Sequence, residues 1–199
     1  MVAIPRSLAD AKRQAGMDHV LAAARKFVMA NGLEATMDEI AEASGVSRRT
    51  LFRLFGSRDH LIASAFVAGM DFYGHELPAY GGDINAWLGQ TCDSAHRMNA
   101  ASGPGFWELT SRTNLPPELE ATERMRRRRF RLTVNDVALA LWTNSGGRGD
   151  PPGELVAVIG AHLSPHFTAA VVTDLGQGWE VASRLAYDAI AALLQTLTA

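Results

Sequence analysis

The chain has 199 residues, 47% hydrophobic and 20% charged, with a formal net charge of −2; this excludes disordered, collagen-like and low-complexity classes and a protein coated in positive charge. That length can build one sizeable core or two small ones, and the single cysteine, Cys92, excludes an intrachain disulfide or a structural zinc held by thiolates. No apolar run reaches the roughly 18 residues of a membrane span, and MVAIPRSLADAKRQAG lacks the pattern of a secretory signal, so the expected setting is cytoplasmic.

Helix signals dominate the chain from its start. Val20, Leu21, Ala24, Phe27 and Val28 repeat at the spacing of one buried helical face, and Asn31-Gly32 ends it. Residues 1–16 precede this face and are read as an arm. Thr36-Met37-Asp38-Glu39 is a capping box opening a short second helix that runs to Ser44, before Gly45. Ser47 caps a third helix through Phe55, and Gly56-Ser57 punctuates the chain again. A fourth helix over 58–74 places Leu61, Ala65 and Phe72 on one face, and PAYGGD at 78–83 breaks it.

Helices are then expected over 83–101, from Phe106 to Arg112, and from Pro116-Pro117 to Thr143, where first-turn prolines lose no intrahelical bond. NSGGRGDPPG at 144–153 is a loop by composition. The last two helices cover 154–174 and 179–197, the former split near Ser164 by Pro165. About nine helices with short connections predict an all-α fold, a three-helix domain at 1–56 followed by a helical bundle at 57–199.

The segment from Thr36 to Phe55 has the logic of a helix-turn-helix: a short capped helix, a glycine turn, and a helix opening with Ser-Arg-Arg-Thr. Ala41 is small where the helices cross, and Ile40, Val46 and Leu51 fill the wedge. With Leu51 pointing inward, Leu54 and Phe55 fall within about 60° of it while Arg49, Phe52 and Arg53 face away. Guanidinium forks suit guanine O6 and N7 or phosphate, and an aromatic edge suits a thymine methyl, so this face fits a major groove. Thr36, Ser47 and Ser57 sit at helix N-termini that favour phosphate oxygens, and Arg58 adds a charge beside the last.

LEATMDEIAEASGVSRRTLFRLFGSRDHLIASAF resembles the DNA-binding segment of the tetracycline-repressor (TetR) family of transcriptional regulators, over roughly residues 17–70. The resemblance implies a first helix starting near Met17, phosphate contacts from Thr36 and Arg58, and recognition-helix contacts from Arg48, Arg49, Thr50, Phe52 and Arg53. Phe52 stands where tyrosine is common and Arg58 where lysine is usual. It further implies a repressor that binds a palindromic operator as a homodimer and is released by a small-molecule effector. The pocket candidates are Trp87, His96, Asn99, Phe106, Trp107, Phe130, Trp142 and Phe167.

The last helix carries Val181, Leu185, Ala186, Ala189, Ile190, Leu193, Leu194 and Leu197, apolar over so much of its circumference that a second subunit is the simplest cover. A homodimer through the last two helices is therefore expected. The run ERMRRRRFR at 123–131 reads as a solvated helix face, because Phe130, Val134, Val137 and Leu141 keep an apolar spacing through it. His162 and His166 are four apart, but Pro165 lies between them and no third ligand is near, so no metal is expected. No cofactor motif, nucleophile elbow or phosphate loop occurs, and no enzymatic activity is expected. The competing reading is a helical small-molecule-binding protein or enzyme without DNA binding.

Overall fold

The computed structural model describes residues 7–70 and 77–198, and among these there is no β-strand. Phe72 and residues 1–6 of the expected arm lie outside the described residues. The chain forms two compact units, one from residues 7–70 and 103–126 and another from 77–102 and 127–198.

The first unit holds α1 (Leu8–Asn31), α2 (Met37–Ser44), α3 (Arg48–Phe55), α4 (Arg58–Met70), α6 (Pro104–Ser111) and the start of α7 (Pro117–Asn144). The first helix starts at Leu8 rather than near Met17. Ser7 caps it by accepting from the Asp10 N–H, and Ala, Lys, Arg and Gln carry it forward by propensity. Nearly all of residues 8–19 are exposed or half-exposed, so no apolar face marks that stretch in the sequence. Val20, Ala24 and Val28 of α1, Ile40 of α2, Leu51 and Phe55 of α3, and Leu61, Ile62 and Phe66 of α4 form one buried core, which Leu109 of α6 and Leu119 of α7 complete. Each of these side chains larger than alanine contributes about 1.5–3 kcal/mol on leaving water. Gly105 admits α6 to this core, since a Cβ there would collide with the Val28 carbonyl of α1.

The second unit holds α5 (Ile84–Ala100), the remainder of α7, α8 (Gly153–His162), α9 (Pro165–Ala169), a π-helical turn (Ala170–Asp174) and α10 (Trp179–Thr198). The expected split at Pro165 is present: α8 ends at His162 and Ser164 caps α9. Proline can neither donate to the preceding turn nor fit behind its carbonyl, so two helices form where 154–174 alone predicted one. Among the described residues there are accordingly ten α-helices, not nine. Ala182, Ala186, Ile190 and Leu194 bury one stripe of α10, and Leu141, Leu155 and Ile159 are fully buried with them. Glu180, Arg184 and Asp188 are exposed, as their stripe predicts. No single helix among the described residues is long and apolar enough to cross a membrane.

Candidate nucleic-acid interface

The α2–α3 corner is built by local chemistry. The Thr36 hydroxyl accepts from the Glu39 N–H, while the Glu39 carboxylate accepts from the Thr36 N–H at 2.7 Å. The Thr36 N–H first, and then the Thr36 hydroxyl, both donating to the carboxylate, hold the Glu39 carboxyl below its ordinary pKa. Gly45 then turns the chain with φ 67° and ψ 20°, a left-handed conformation that costs glycine nothing. Ser47 caps α3 by accepting from the Thr50 N–H. Leu51 is fully buried and Phe55 nearly so, which pins α3 by one face and turns the other outward.

That outer face carries Arg48, Arg49, Phe52 and Arg53, all exposed. Arg49 and Arg53 have no ion-pair partner among the described residues. Arg48 is held: its Nη1 donates to Asp38 Oδ2 of α2 at 2.8 Å, and its guanidinium lies 5.4 Å from the Phe52 ring centroid. Thr50 is half-buried against Ser47. Leu54 is 38% exposed instead of inward, because about 60° from the buried direction is the edge of the face, not its floor.

Ser57 accepts from the His60 N–H and caps α4. Arg58 is half-buried and bonded within the protein. Its Nε and Nη2 both donate to Asp59 Oδ1, its Nη1 donates to the Ala35 carbonyl at 3.4 Å, and Glu34 lies at 3.9 Å. The Arg58 side chain is 30% exposed. Glu34 is in turn bonded to Arg112, the residue that closes α6, and that bond, with the charge of the guanidinium, lowers the Glu34 pKa. Glu108 of the same helix accepts from the Leu33 N–H at 2.9 Å. The turn from α1 to α2 is thus pinned by Glu108 of α6 and by Arg112 at its end, a non-local arrangement with no signature in the sequence.

The eight pocket candidates do not form one group. Phe106 and Trp107 belong to the first unit, where they pack edge to face at 5.5 Å and Arg126 stacks over Phe106. In the second unit the Trp87 Nε1 donates to the Pro78 carbonyl, and the Trp142 Nε1 to the Arg148 carbonyl. His96 and Asn99 are buried together on Thr168, with Phe167 beside His96. Burial depresses the His96 pKa to about 4, so its imidazole is neutral at pH 7. A small cleft, about 30 Å³ in volume and open toward solvent, lies elsewhere in the same unit between α5, α7 and Leu163. Of the eight, Phe130 lines it; Thr91, Ser94, Val134 and Val137 are among the liners that sequence reasoning missed. Small residues at helical spacing look alike whether they face a core or a cleft.

The remaining reactive groups are satisfied structurally. Cys92 is buried and its thiol pushed up to about 12 by that burial, which leaves no thiolate nucleophile. His162 Nδ1 lies 2.9 Å from the Val158 carbonyl oxygen, with the ring tilted against Phe167. No cluster of three metal-ligating side chains occurs among the described residues. On the α7 arginine run, Glu120 pairs with Arg124 and the buried Glu123 with Arg126.

Compared with known families, residues 20–65 match the model of bacterial regulatory proteins of the tetR family. Among curated proteins, none matches the chain.

Proposed function

For a DNA-binding regulator of transcription whose residues 20–65 belong to the tetR family of bacterial regulatory proteins, we propose a homodimeric repressor that reads a palindromic operator and is released by a small molecule. The observation that carries the DNA reading is the outer face of α3. Arg49 and Arg53 are exposed there without ion-pair partners, opposite the buried Leu51 and Phe55. Unpaired guanidinium forks on a short helix pinned from behind can enter a major groove and chelate guanine or phosphate. Arg48, Phe52, Thr50 and Ser47 border the same face. Thr36 and Ser57 lie at the N-termini of α2 and α4, where backbone dipoles favour phosphate oxygens.

Dimerisation is assigned to the exposed sides of α8 and α10. Leu185 of α10 is 45% exposed, and Ala157, Ala161 and Ala192 leave room for a partner helix at close range. A two-fold pair would space its recognition helices at about 34–36 Å, one turn of duplex. The cleft of the second unit is lined by apolar side chains and the hydroxyls of Thr91, Ser94 and Thr133, with no charged residue. It suits an uncharged, largely apolar effector carrying a hydrogen-bonding group. Binding there lowers operator affinity by favouring a dimer whose heads no longer match the half-site spacing. The setting is cytoplasmic and no catalytic role is assigned.

A mobility-shift titration with fragments of the source genome, at about 0.15 M salt, tests this. Two chains per retarded duplex and a preference for a subset of fragments are expected. Weak, salt-labile binding equal on all fragments would overturn the reading.

A further inference from the structure

Asp38 is an acidic side chain on the same exposed surface as the arginines of α3, and it is 66% exposed. A carboxylate facing a polyanion is repelled by it, so its presence needs a reason. It already serves the α2 N-terminus as a first-turn acid, but that role leaves unexplained its 2.8 Å contact with Arg48, ten residues on and in the next helix. Of the α3 arginines, Arg48 is the one bound this way and the one stacked on Phe52.

We propose that Asp38 is a positioning residue which, with the Phe52 ring, orients Arg48 to read one G·C base pair in each half-site; this rests on the DNA-binding reading of that face. Arg48 is the first residue of α3 after its Ser47 cap, and the N-terminal residues of a recognition helix are the ones that meet base edges. An unpaired arginine there can turn to a phosphate as readily as to a base, and a phosphate contact carries no sequence information. The Asp38–Arg48 pair as a whole carries no net charge to attract a phosphate, while Arg48 keeps its directional donors. One N–H of Nη1 is spent on Asp38, and Nε and Nη2 remain as a fork that fits guanine O6 and N7. Asp38 Oδ1 has no partner among the described residues and can accept from a cytosine amino group, as acidic side chains do in major grooves. Donors beside an acceptor are the complement of a G·C edge. A lone arginine supplies half of that pattern.

The test is selection of bound sequences from a randomised 30-base-pair duplex pool by the full chain, for the wild type, Asp38→Asn, Asp38→Glu and Arg48→Ala. In the wild type we expect a G·C preference at one position per half-site. Asp38→Asn should weaken it by about tenfold, the scale of one bidentate pair, and should raise affinity for random duplex about fivefold at 0.15 M salt through one unopposed cation. Arg48→Ala should weaken preference at the same position, Asp38→Asn combined with Arg48→Ala, selected in the same way, no further, and Asp38→Glu should restore part of it. Far-ultraviolet circular dichroism and melting temperature check that each variant folds. Unchanged base preferences in Asp38→Asn, with Arg48→Ala altering them, would overturn the inference and leave the DNA reading intact. Absence of any sequence preference in the wild type would instead sink the DNA reading itself.

Discussion

In the first compact unit charged side chains crowd the surface of α2 and α3 over an apolar wedge of Ile40, Leu51 and Phe55, whereas in the second unit His96, Asn99 and Thr168 carry polar chemistry into the interior. The exposed set is held by near-neighbour bonds: Thr36 with Glu39, Ser47 with Thr50, Arg48 with Phe52. The buried set is joined across about 70 residues of chain, from His96 and Asn99 to Thr168. Water competes for every exposed bond, so each stabilises little and its geometry can yield to a ligand. In the interior nothing competes, and an unmatched polar atom is costly. A surface built the first way suits recognition; an interior built the second way fixes one arrangement of helices.

Breaking the wedge has the largest expected effect. Leu51→Ala, at a fully buried position, should destabilise the first unit by about 2–5 kcal/mol in urea or thermal unfolding, through lost transfer energy and the cavity left behind. Leu54→Ala, on the same helix but 38% exposed, should fall within about 0.5 kcal/mol of wild type. Comparable losses at both positions would mean that the two sides of α3 are not differentiated as described.

The interior set gives the next effect, read by pH. The His96 pKa falls from an ordinary 6.5 to about 4 in the folded chain, because burial penalises the charged ring. Above 6.5 both folded and unfolded states carry a neutral ring and the group is silent. As pH drops from 6.5 toward 4 the unfolded state takes up a proton that the folded state refuses, so stability declines, by about 3 kcal/mol at most. Chemical denaturation at pH 7, 5.5 and 4 should show a steeper decline in wild type than in His96→Gln. Parallel profiles would show that the ring is not held neutral by burial.

Local chemistry explains why the headpiece was legible and much else was not. The capping box at Thr36, the left-handed Gly45 and the Ser47 cap are each specified by residues within four positions, and α2 and α3 have the bounds that sequence predicts. The Pro165 break is equally local. The bonds of Arg58 to Ala35 and Glu34, and the Asp38–Arg48 pair, depend on how separate elements meet, which spacing does not encode. The assignment of Phe106 and Trp107 to the first unit is similar, since α6 reaches α1 through the absence of a side chain at Gly105. The early start of α1 went unseen for the opposite reason: an exposed helix needs no periodic apolar face.

On the recognition face, Arg49→Ala and Arg53→Ala should each reduce discrimination between operator and random duplex by about 1–3 kcal/mol, measured by fluorescence anisotropy in competition. Arg58→Ala is the contrast within the same unit. Its guanidinium is already bonded to Asp59 and Ala35, so the substitution should cost folding stability while leaving the slope of log affinity against log salt unchanged. A slope lower by about one would mean that Arg58 leaves those partners for a phosphate.

The smallest expected change separates capping from contact at Thr36. Its hydroxyl accepts from the Glu39 N–H and donates to the Glu39 carboxylate at 2.7 Å, so Thr36→Ala should lower stability by about 1 kcal/mol, the usual worth of an N-cap. Thr36→Asn can cap the helix through its own side-chain oxygen and should recover most of that loss. If operator affinity follows stability across the pair, falling with alanine and returning with asparagine, Thr36 acts by holding α2 in place. If the asparagine variant is stable and still binds weakly, the hydroxyl itself meets a phosphate, and the near-neighbour bonds of this surface give way on binding in the manner that distinguishes it from the interior.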